Sequence, residues 1–143
     1  MKRTLCIAIG LMSIQFAAIS QNQITGFWLP EEGKSIIEIY RKDTDTLNGK
    51  IVWLERPTNG KGEPHTDKMN PDKTLQDRPL LGLDMLVDLT YDRKTWVGKL
   101  YTPKKGRTVD VRLSLISDDR LKVTVSFRGF TRNQFWTRTE LPK

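Results

Sequence analysis

The feature of this sequence that most restricts its fold is a regular alternation of apolar and polar residues. The runs 83–89, 109–115 and 121–127 place an apolar side chain at every second position. Side chains of a β-strand point to its two faces in turn, so this period predicts strands with one buried face. We find no convincing run with the 3.6-residue period of an amphipathic helix. The sequence therefore predicts an all-β domain.

Eight strands are predicted, and most connections between them are short polar turns. The strands are expected at 26–29, 35–41, 47–54, 83–89, 96–101, 109–115, 121–127 and 134–139. Turns of a few residues favour antiparallel neighbours, because a parallel crossover needs about a dozen residues or more. Eight such strands avoid exposed edges by closing into a barrel, whose interior is filled by side chains or holds one small ligand. A β-sandwich is the alternative, and the sequential hairpins favour the up-and-down barrel.

One connection is long and has a different composition. Residues 55–80 contain four of the seven prolines and the only histidine of the chain. Long loops in compact domains are commonly functional. Apart from Met69 and Leu75 this loop has few apolar anchors, so we expect it to be less stable than the strands. We predict that it forms a rim or lid at the open end of the barrel, with at most a short helical turn.

The first twenty residues are typical of a secretory signal peptide. Two basic residues precede an uncharged apolar run at 5–19, and the small residues Ala18 and Ser20 form a cleavage site before Gln21. The apolar run is shorter than the roughly 20 residues that cross a bilayer. We therefore expect an exported protein, periplasmic or extracellular, without a transmembrane segment. Its domains would be a signal peptide at 1–20 and one barrel at 21–143.

The predicted mature chain contains few residues suited to catalysis. Cleavage removes Cys6, the only cysteine, and His65 has no second histidine to complete a metal site of three or four ligands. No serine lies in a nucleophile-elbow motif, and no glycine-rich phosphate loop precedes a helix. We predict no catalytic residue, no metal and no cofactor, and a binding protein is favoured over an enzyme.

The charge of the chain gives little support for a nucleic-acid partner. Cleavage lowers the formal net charge from +7 to +5 by removing two basic residues. The remaining lysines and arginines are scattered over the turns and do not alternate with stacking aromatic residues. We therefore predict no nucleic-acid binding. Attraction to an anionic cell surface is compatible with this charge.

Two motifs at the ends of the domain resemble lipocalin-like (calycin) barrels. They are Gly26-Phe27-Trp28 in the first strand and Trp136-Thr137-Arg138 in the last. In such barrels the tryptophan closes one end and the arginine packs across it. The resemblance implies that Gly26, Trp28, Trp136 and Arg138 close one end here, with the Arg138 guanidinium on the Trp28 indole.

Further motifs are similar to an exported bacterial family known as domain of unknown function 2147. They run in order through Gly49-Lys50-Ile51-Val52-Trp53, Asp67-x-x-Asn70-Pro71, Arg78-Pro79-Leu80-Leu81-Gly82-Leu83 and Trp96-x-Gly98-Lys99-Leu100-Tyr101-x-Pro103. The resemblance covers nearly the whole predicted mature chain. It implies the eight-stranded barrel and export, and it implies no particular activity.

Four residues are candidate ligand contacts: Asp67, Asn70, Arg78 and Tyr101. We expect the first three to rim the barrel mouth, where an arginine would pair with a carboxylate or phosphate group. The structural alternative is that Asn70 caps local backbone groups beside Pro71 and that Arg78 ties the loop to the barrel.

The sequence thus predicts a lipocalin-like barrel that binds a small apolar or amphiphilic ligand in or at its mouth. The alternative is a cell-envelope module whose long loop contacts another protein. In that case large side chains would fill the interior, the candidates being Trp53, Trp96, Phe127 and Trp136. The deciding property is the volume left inside the barrel.

Overall fold

Each alternating run of the sequence forms one strand of a closed antiparallel barrel in the computed structural model, which describes residues 21–143. The strands are β1 Gly26–Leu29, β2 Ser35–Arg41, β3 Thr46–Leu54, β4 Asp84–Asp92, β5 Thr95–Thr102, β6 Arg107–Ser117, β7 Arg120–Phe127 and β8 Phe130–Thr139. Every strand pairs with its neighbours in sequence, and β8 pairs back to β1. The predicted eight-stranded up-and-down barrel is confirmed. The predicted signal peptide lies outside the described residues.

The alternation of the sequence divides the inner face of the barrel from the outer face. Even-numbered residues of β5 and β8 and odd-numbered residues of β6 and β7 point inward and form the core. Three tryptophans, Trp28, Trp96 and Trp136, are fully buried there. Trp53 is only half-buried and lies outside this core, so it does not fill the interior as the sequence suggested.

The fourth strand departs from simple alternation. The sequence predicted that residues 83, 85, 87 and 89 share a face, but a bulge between Val87 and Thr90 shifts the register of β4. Asp88 has a φ of 53° there, and its N–H donates to the Asn48 side-chain oxygen at 3.0 Å. As a result Leu86 and Leu89 enter the core. The expected pattern was wrong because a bulge inserts one residue into the period of two.

The barrel has two different ends. We call the end with the turns β2–β3, β4–β5 and β6–β7 the closed end, because residues 21–25 fold across it. Ile24 is fully buried there, and its carbonyl accepts the Trp28 indole N–H at 2.8 Å. The Trp96 indole N–H donates to the Gln21 carbonyl at 3.0 Å. We call the opposite end, which carries the long loop, the mouth.

The long loop is ordered by polar contacts rather than by its apolar residues. It contains a short 3₁₀ turn at Lys73–Leu75, which the Asp72 side chain caps by accepting the Thr74 N–H at 2.9 Å. Met69 and Leu75 are 60% and 37% exposed, so the two expected anchors do not hold the loop. Within residues 21–143, no helix is both long and apolar enough to span a membrane.

Candidate functional site

At the closed end, Arg138 contacts the residues that the sequence paired with it. Its guanidinium carbon lies 4.3 Å from the centre of the Trp28 ring. Its nitrogens donate to the carbonyl oxygens of Asp118, Thr25 and Gln23 at 2.6, 2.8 and 2.9 Å. The contact between Trp28 and Arg138 is therefore present, and backbone carbonyls occupy the donors of this arginine.

Two further residues of the predicted closure lie beside this contact. Gly26 has a φ of 120°, and a side chain there would come within 3.0 Å of the Arg138 guanidinium. Trp136 is buried in the core two residues before Arg138, and its indole N–H donates to the Gln134 side chain at 3.0 Å. The positive φ explains why position 26 favours a glycine, because other residues rarely adopt this backbone conformation.

The four candidate ligand residues form one hydrogen-bonded group, which we call the Asp67 cluster: Asp67, Asn70, Arg78 and Tyr101. The carboxylate of Asp67 is fully buried at its centre. Tyr101 O–H donates to one oxygen at 2.6 Å, while Asn70 and the Nε of Arg78 donate to the other at 2.8 and 2.9 Å. Both carboxylate oxygens are thus used within the protein.

The electrostatics of the cluster favour a charged Asp67. Burial alone would raise the pKa of this carboxyl, but hydrogen bonds from Tyr101, Asn70 and Arg78 and the Arg78 charge together hold it below its usual value. Burial, together with the adjacent carboxylate, raises the pKa of Tyr101. The cluster therefore contains an ionised aspartate and a neutral tyrosine at neutral pH.

The Asp67 cluster lies on the outer wall of the barrel. Tyr101 points outward, because its neighbours Leu100 and Thr102 face inward. The loop packs so closely on this wall that a side chain on Gly106 would come within 1.7 Å of the Met69 carbonyl oxygen. Beside it runs an open groove of about 720 Å³, lined in part by Arg78 and Tyr101. The structure thus brings the four residues together outside the barrel wall rather than over its interior.

A second cavity, of about 330 Å³, opens inside the mouth between strands β5 to β8 and the β1–β2 turn. Its apolar wall consists of Leu100, Val109, Val125 and Phe127, with Phe130 at the opening. We call this space the mouth cavity. The barrel is therefore filled by tryptophans toward its closed end and open toward its mouth.

Cationic side chains stand over the apolar wall of the mouth cavity. Arg107 and Arg132 both line it, and the Arg107 guanidinium carbon lies 4.3 Å from the centre of the Phe127 ring. Among residues 21–143, neither arginine has a side-chain hydrogen bond or an ion pair with another residue. Their donors are therefore available to a molecule in the cavity.

The two glutamates of the β1–β2 turn are engaged with the protein. β1 pairs with β8 only at residues 137–139. Glu31 accepts the Phe135 N–H, farther along β8, at 3.1 Å. Glu32 forms an ion pair with Lys104 at 2.8 Å, and the hydrogen bond from this lysine lowers the pKa of Glu32. Because the β1–β2 and β5–β6 turns lie on opposite sides of the ring of strands, this pair bridges the mouth.

Sequence reasoning missed the residues of the mouth cavity, although a signal for them was present. Arg107 lies on the same face of β6 as the inward residues Val109 and Val111. Arg132 lies on the same face of β8 as Gln134 and Trp136. A charged residue on the apolar face near the end of a strand is an exception to the alternation. In a barrel, such an exception marks a side chain at the opening.

The chemistry of the described residues offers little for a metal. Within residues 21–143, no three His, Cys, Asp or Glu side chains converge in a way that would hold a metal ion. His65 lies half-buried in the long loop. The arrangement at the mouth is suited to binding an anion next to an apolar surface.

Comparisons with known proteins agree with this architecture. A family model described as "Uncharacterized protein conserved in bacteria (DUF2147)" matches residues 26–138. A solved structure with a similar fold is protein HP1028 from the human pathogen Helicobacter pylori, described as belonging to the lipocalin family. The TM-score is 0.69 at 23% identity, covering 82% of this chain and 83% of that chain. At this identity the likeness concerns the fold. No curated protein matches the sequence.

Proposed function

This chain belongs to the bacterial family DUF2147 and has a lipocalin-like barrel. We propose that it is an exported protein that binds a small amphiphilic molecule with an acidic headgroup. The proposal rests on one observation. The mouth cavity has an apolar wall below two arginines that have no side-chain partner among residues 21–143. Such a site favours a ligand with an apolar body and an anionic end.

The size of the mouth cavity supports a small ligand. Its volume of about 330 Å³ lies at the lower end of the range of about 300–1,000 Å³ that is typical of small-molecule sites. Each methylene group that the ligand buries against Leu100, Val109 and Val125 would contribute about 0.8 kcal/mol. Because Trp28, Trp96 and Trp136 fill the lower part of the barrel, the ligand would occupy the upper part only.

The arginines determine the chemistry of the headgroup. A guanidinium presents a planar set of donors that matches the two oxygens of a carboxylate or phosphate. Stacking on Phe127 holds Arg107 in position before the ligand arrives. Glu31 and Glu32 also line the cavity, but Lys105 adds a third cation, so the lining keeps an excess of positive charge. Glu31 accepts the Phe135 N–H, and Glu32 pairs with Lys104.

The Asp67 cluster has a different part in this proposal. Its central carboxylate is buried and fully hydrogen-bonded, and two nitrogens of Arg78 contact that carboxylate. We therefore assign Asp67, Asn70, Arg78 and Tyr101 to anchoring the long loop on the outer wall. The open mouth cavity also counts against a barrel that is wholly filled by side chains, which the protein-interaction alternative assumed.

Binding of a fluorescent fatty acid, dansyl-undecanoic acid, tests the site. Arg107→Ala should weaken its binding at least tenfold, because the headgroup loses a charged hydrogen-bond partner. Arg112→Ala is the matched control, since this arginine lies on the same strand but points outward, where it donates to Thr95. The control should bind within about twofold of the wild type. Equal affinity of both variants would contradict the proposed site.

Two further measurements test whether the protein has a natural ligand and whether it is exported. Native mass spectrometry of the protein purified from its own cells should find a co-purifying small molecule, and Val125→Trp, which fills the cavity, should lose it. N-terminal sequencing of the exported protein should begin near Gln21. A chain that still begins at Met1 would rule out the proposed cleavage.

A further inference from the structure

From the distribution of charge we infer that the mouth end of the barrel docks on the surface of an anionic lipid bilayer. The mouth turns and the adjoining strand ends, residues 30–34, 103–107 and 128–132, form a surface that we call the basic rim. It carries six basic residues and two acidic ones. The basic ones are Lys34, Lys104, Lys105, Arg107, Arg128 and Arg132.

The closed-end turns and the long loop do not share this excess. The closed-end segments 42–45, 92–94 and 117–120 carry four basic and five acidic residues, and the long loop at 55–83 carries five of each. The positive charge of the domain is therefore concentrated at one end. A flat anionic surface attracts such a molecule and orients it with the mouth toward the surface.

An exposed aromatic side chain lies in the middle of the basic rim. Phe130, the first residue of β8, is 81% exposed, lies between Arg128 and Arg132 in the sequence and lines the opening of the mouth cavity. It is the most exposed large apolar side chain among residues 21–143. An aromatic ring flanked by cations is a typical membrane-surface anchor, because the ring enters the headgroup region while the charges meet lipid phosphates.

A bilayer fits this surface better than an acidic protein does. An acidic protein would satisfy the charges of the basic rim, but it offers no general partner for the exposed ring of Phe130. A lipid surface provides both anionic groups and apolar chains. The same surface contains the opening of the mouth cavity, so docking would place that opening directly against lipid. The inference depends on the rim and Phe130, and it does not require that the cavity holds a ligand.

Vesicle sedimentation tests the inference with the purified full chain. Vesicles that contain phosphatidylglycerol should bind the protein, and pure phosphatidylcholine vesicles should not. Each basic residue near such a surface strengthens binding about fivefold. The double variant Lys105→Glu with Arg128→Glu should therefore bind at least tenfold more weakly, and Phe130→Ser should bind about threefold to tenfold more weakly.

Matched controls at the closed end complete the experiment. Arg93→Glu with Lys94→Glu makes the same change in charge in the β4–β5 turn, and Ile116→Ser removes an exposed apolar side chain near the closed end of β6. Both controls should retain binding within about twofold.

Equal losses at both ends, or binding that does not depend on lipid charge, would overturn the inference. Equally tight binding to soluble polyglutamate that does not depend on Phe130 would assign the rim to acidic proteins and overturn it as well. A protein that binds vesicles but not the dansyl fatty acid would retain the docking and lose the proposed ligand.

Discussion

Both ends of the barrel contain an arginine stacked on an aromatic ring, and the two pairs have the same spacing. Arg138 lies 4.3 Å from the Trp28 ring at the closed end, and Arg107 lies 4.3 Å from the Phe127 ring at the mouth. The two arginines differ in whether their guanidinium N–H groups find hydrogen-bond acceptors in the protein. Three backbone carbonyls accept from Arg138, whereas Arg107 has no such acceptor within residues 21–143.

This difference separates a structural arginine from one that is suited to binding. A guanidinium whose donors are taken up by the chain holds strands and segments together and leaves little for a ligand. One that is fixed by stacking but keeps its donors free is preorganised for an anion. The packing of the two ends agrees, because tryptophans fill the closed end while the mouth cavity remains open.

The largest test of this comparison removes the aromatic partner at each end. Trp28→Ala should lower the free energy of unfolding by about 3–5 kcal/mol, because it leaves a cavity in the packed core. Phe127→Ala should cost less than about 2 kcal/mol, because this ring is only half-buried. Urea denaturation of both variants gives the two values. Equal losses would show that the mouth is as tightly packed as the closed end.

Removing the arginines gives the next largest effect. Arg138→Ala should lower stability by about 1–3 kcal/mol through lost stacking and three lost hydrogen bonds, and Arg138→Lys should recover only part because the planar group is gone. Arg107→Ala should change stability by less than about 0.5 kcal/mol. Thermal and urea unfolding measure all three. A stability loss in Arg107→Ala as large as that in Arg138→Ala would remove the distinction between the ends.

The same contrast shows how far the sequence predicts this fold. Strict alternation predicted β7 at 121–127, and the observed strand is Arg120–Phe127, because its alternate residues face the core along its length. β8 was predicted to begin at 134 and begins at Phe130. Its first residues lie at the mouth, where no buried face imposes the pattern. The bulge at Asp88 was missed because it depends on the Asn48 side chain of a neighbouring strand.

The candidate site was predicted less completely than the fold. The motifs of the long loop pointed to Asp67, Asn70 and Arg78, and the structure brings them together with Tyr101. Their position outside the wall depends on which face of β5 points inward, and a single strand does not specify this. Arg107 and Arg132 form a site only after the barrel closes and places β6 near β8 across one opening.

The Asp67 cluster makes the attachment of the long loop at the mouth dependent on pH. Asp67→Asn should weaken the attachment of the loop by about 1–2 kcal/mol, because charged hydrogen bonds to a buried group are lost. The folded state lowers the pKa of Asp67. Its stabilising contribution is therefore complete above the unfolded pKa of about 4 and is lost as the pH falls through the lower folded value.

Limited proteolysis of the loop between pH 6 and pH 3 measures this effect. The wild-type loop should become easier to cleave as the pH falls below about 4, whereas Asp67→Asn should be cleaved readily throughout. Asp77→Asn, an exposed change in the same loop, is the control and should behave as the wild type does. A wild-type loop whose cleavage does not change with pH would contradict the assigned role of Asp67.

The smallest expected effect on stability concerns the ion pair that bridges the mouth. Glu32 and Lys104 are 65% and 76% exposed, so Glu32→Gln should change the free energy of unfolding by less than about 0.5 kcal/mol. Because the pair spans the opening, its loss should nevertheless speed the release of the dansyl fatty acid, measured by stopped-flow displacement.

The control is Asp88→Asn, which breaks a comparable exposed pair with Lys42 toward the closed end and should leave the release rate unchanged. Salt should raise the wild-type rate toward that of Glu32→Gln, because it screens exposed charges. Release rates that are the same in all three proteins would show that the bridge does not control the mouth.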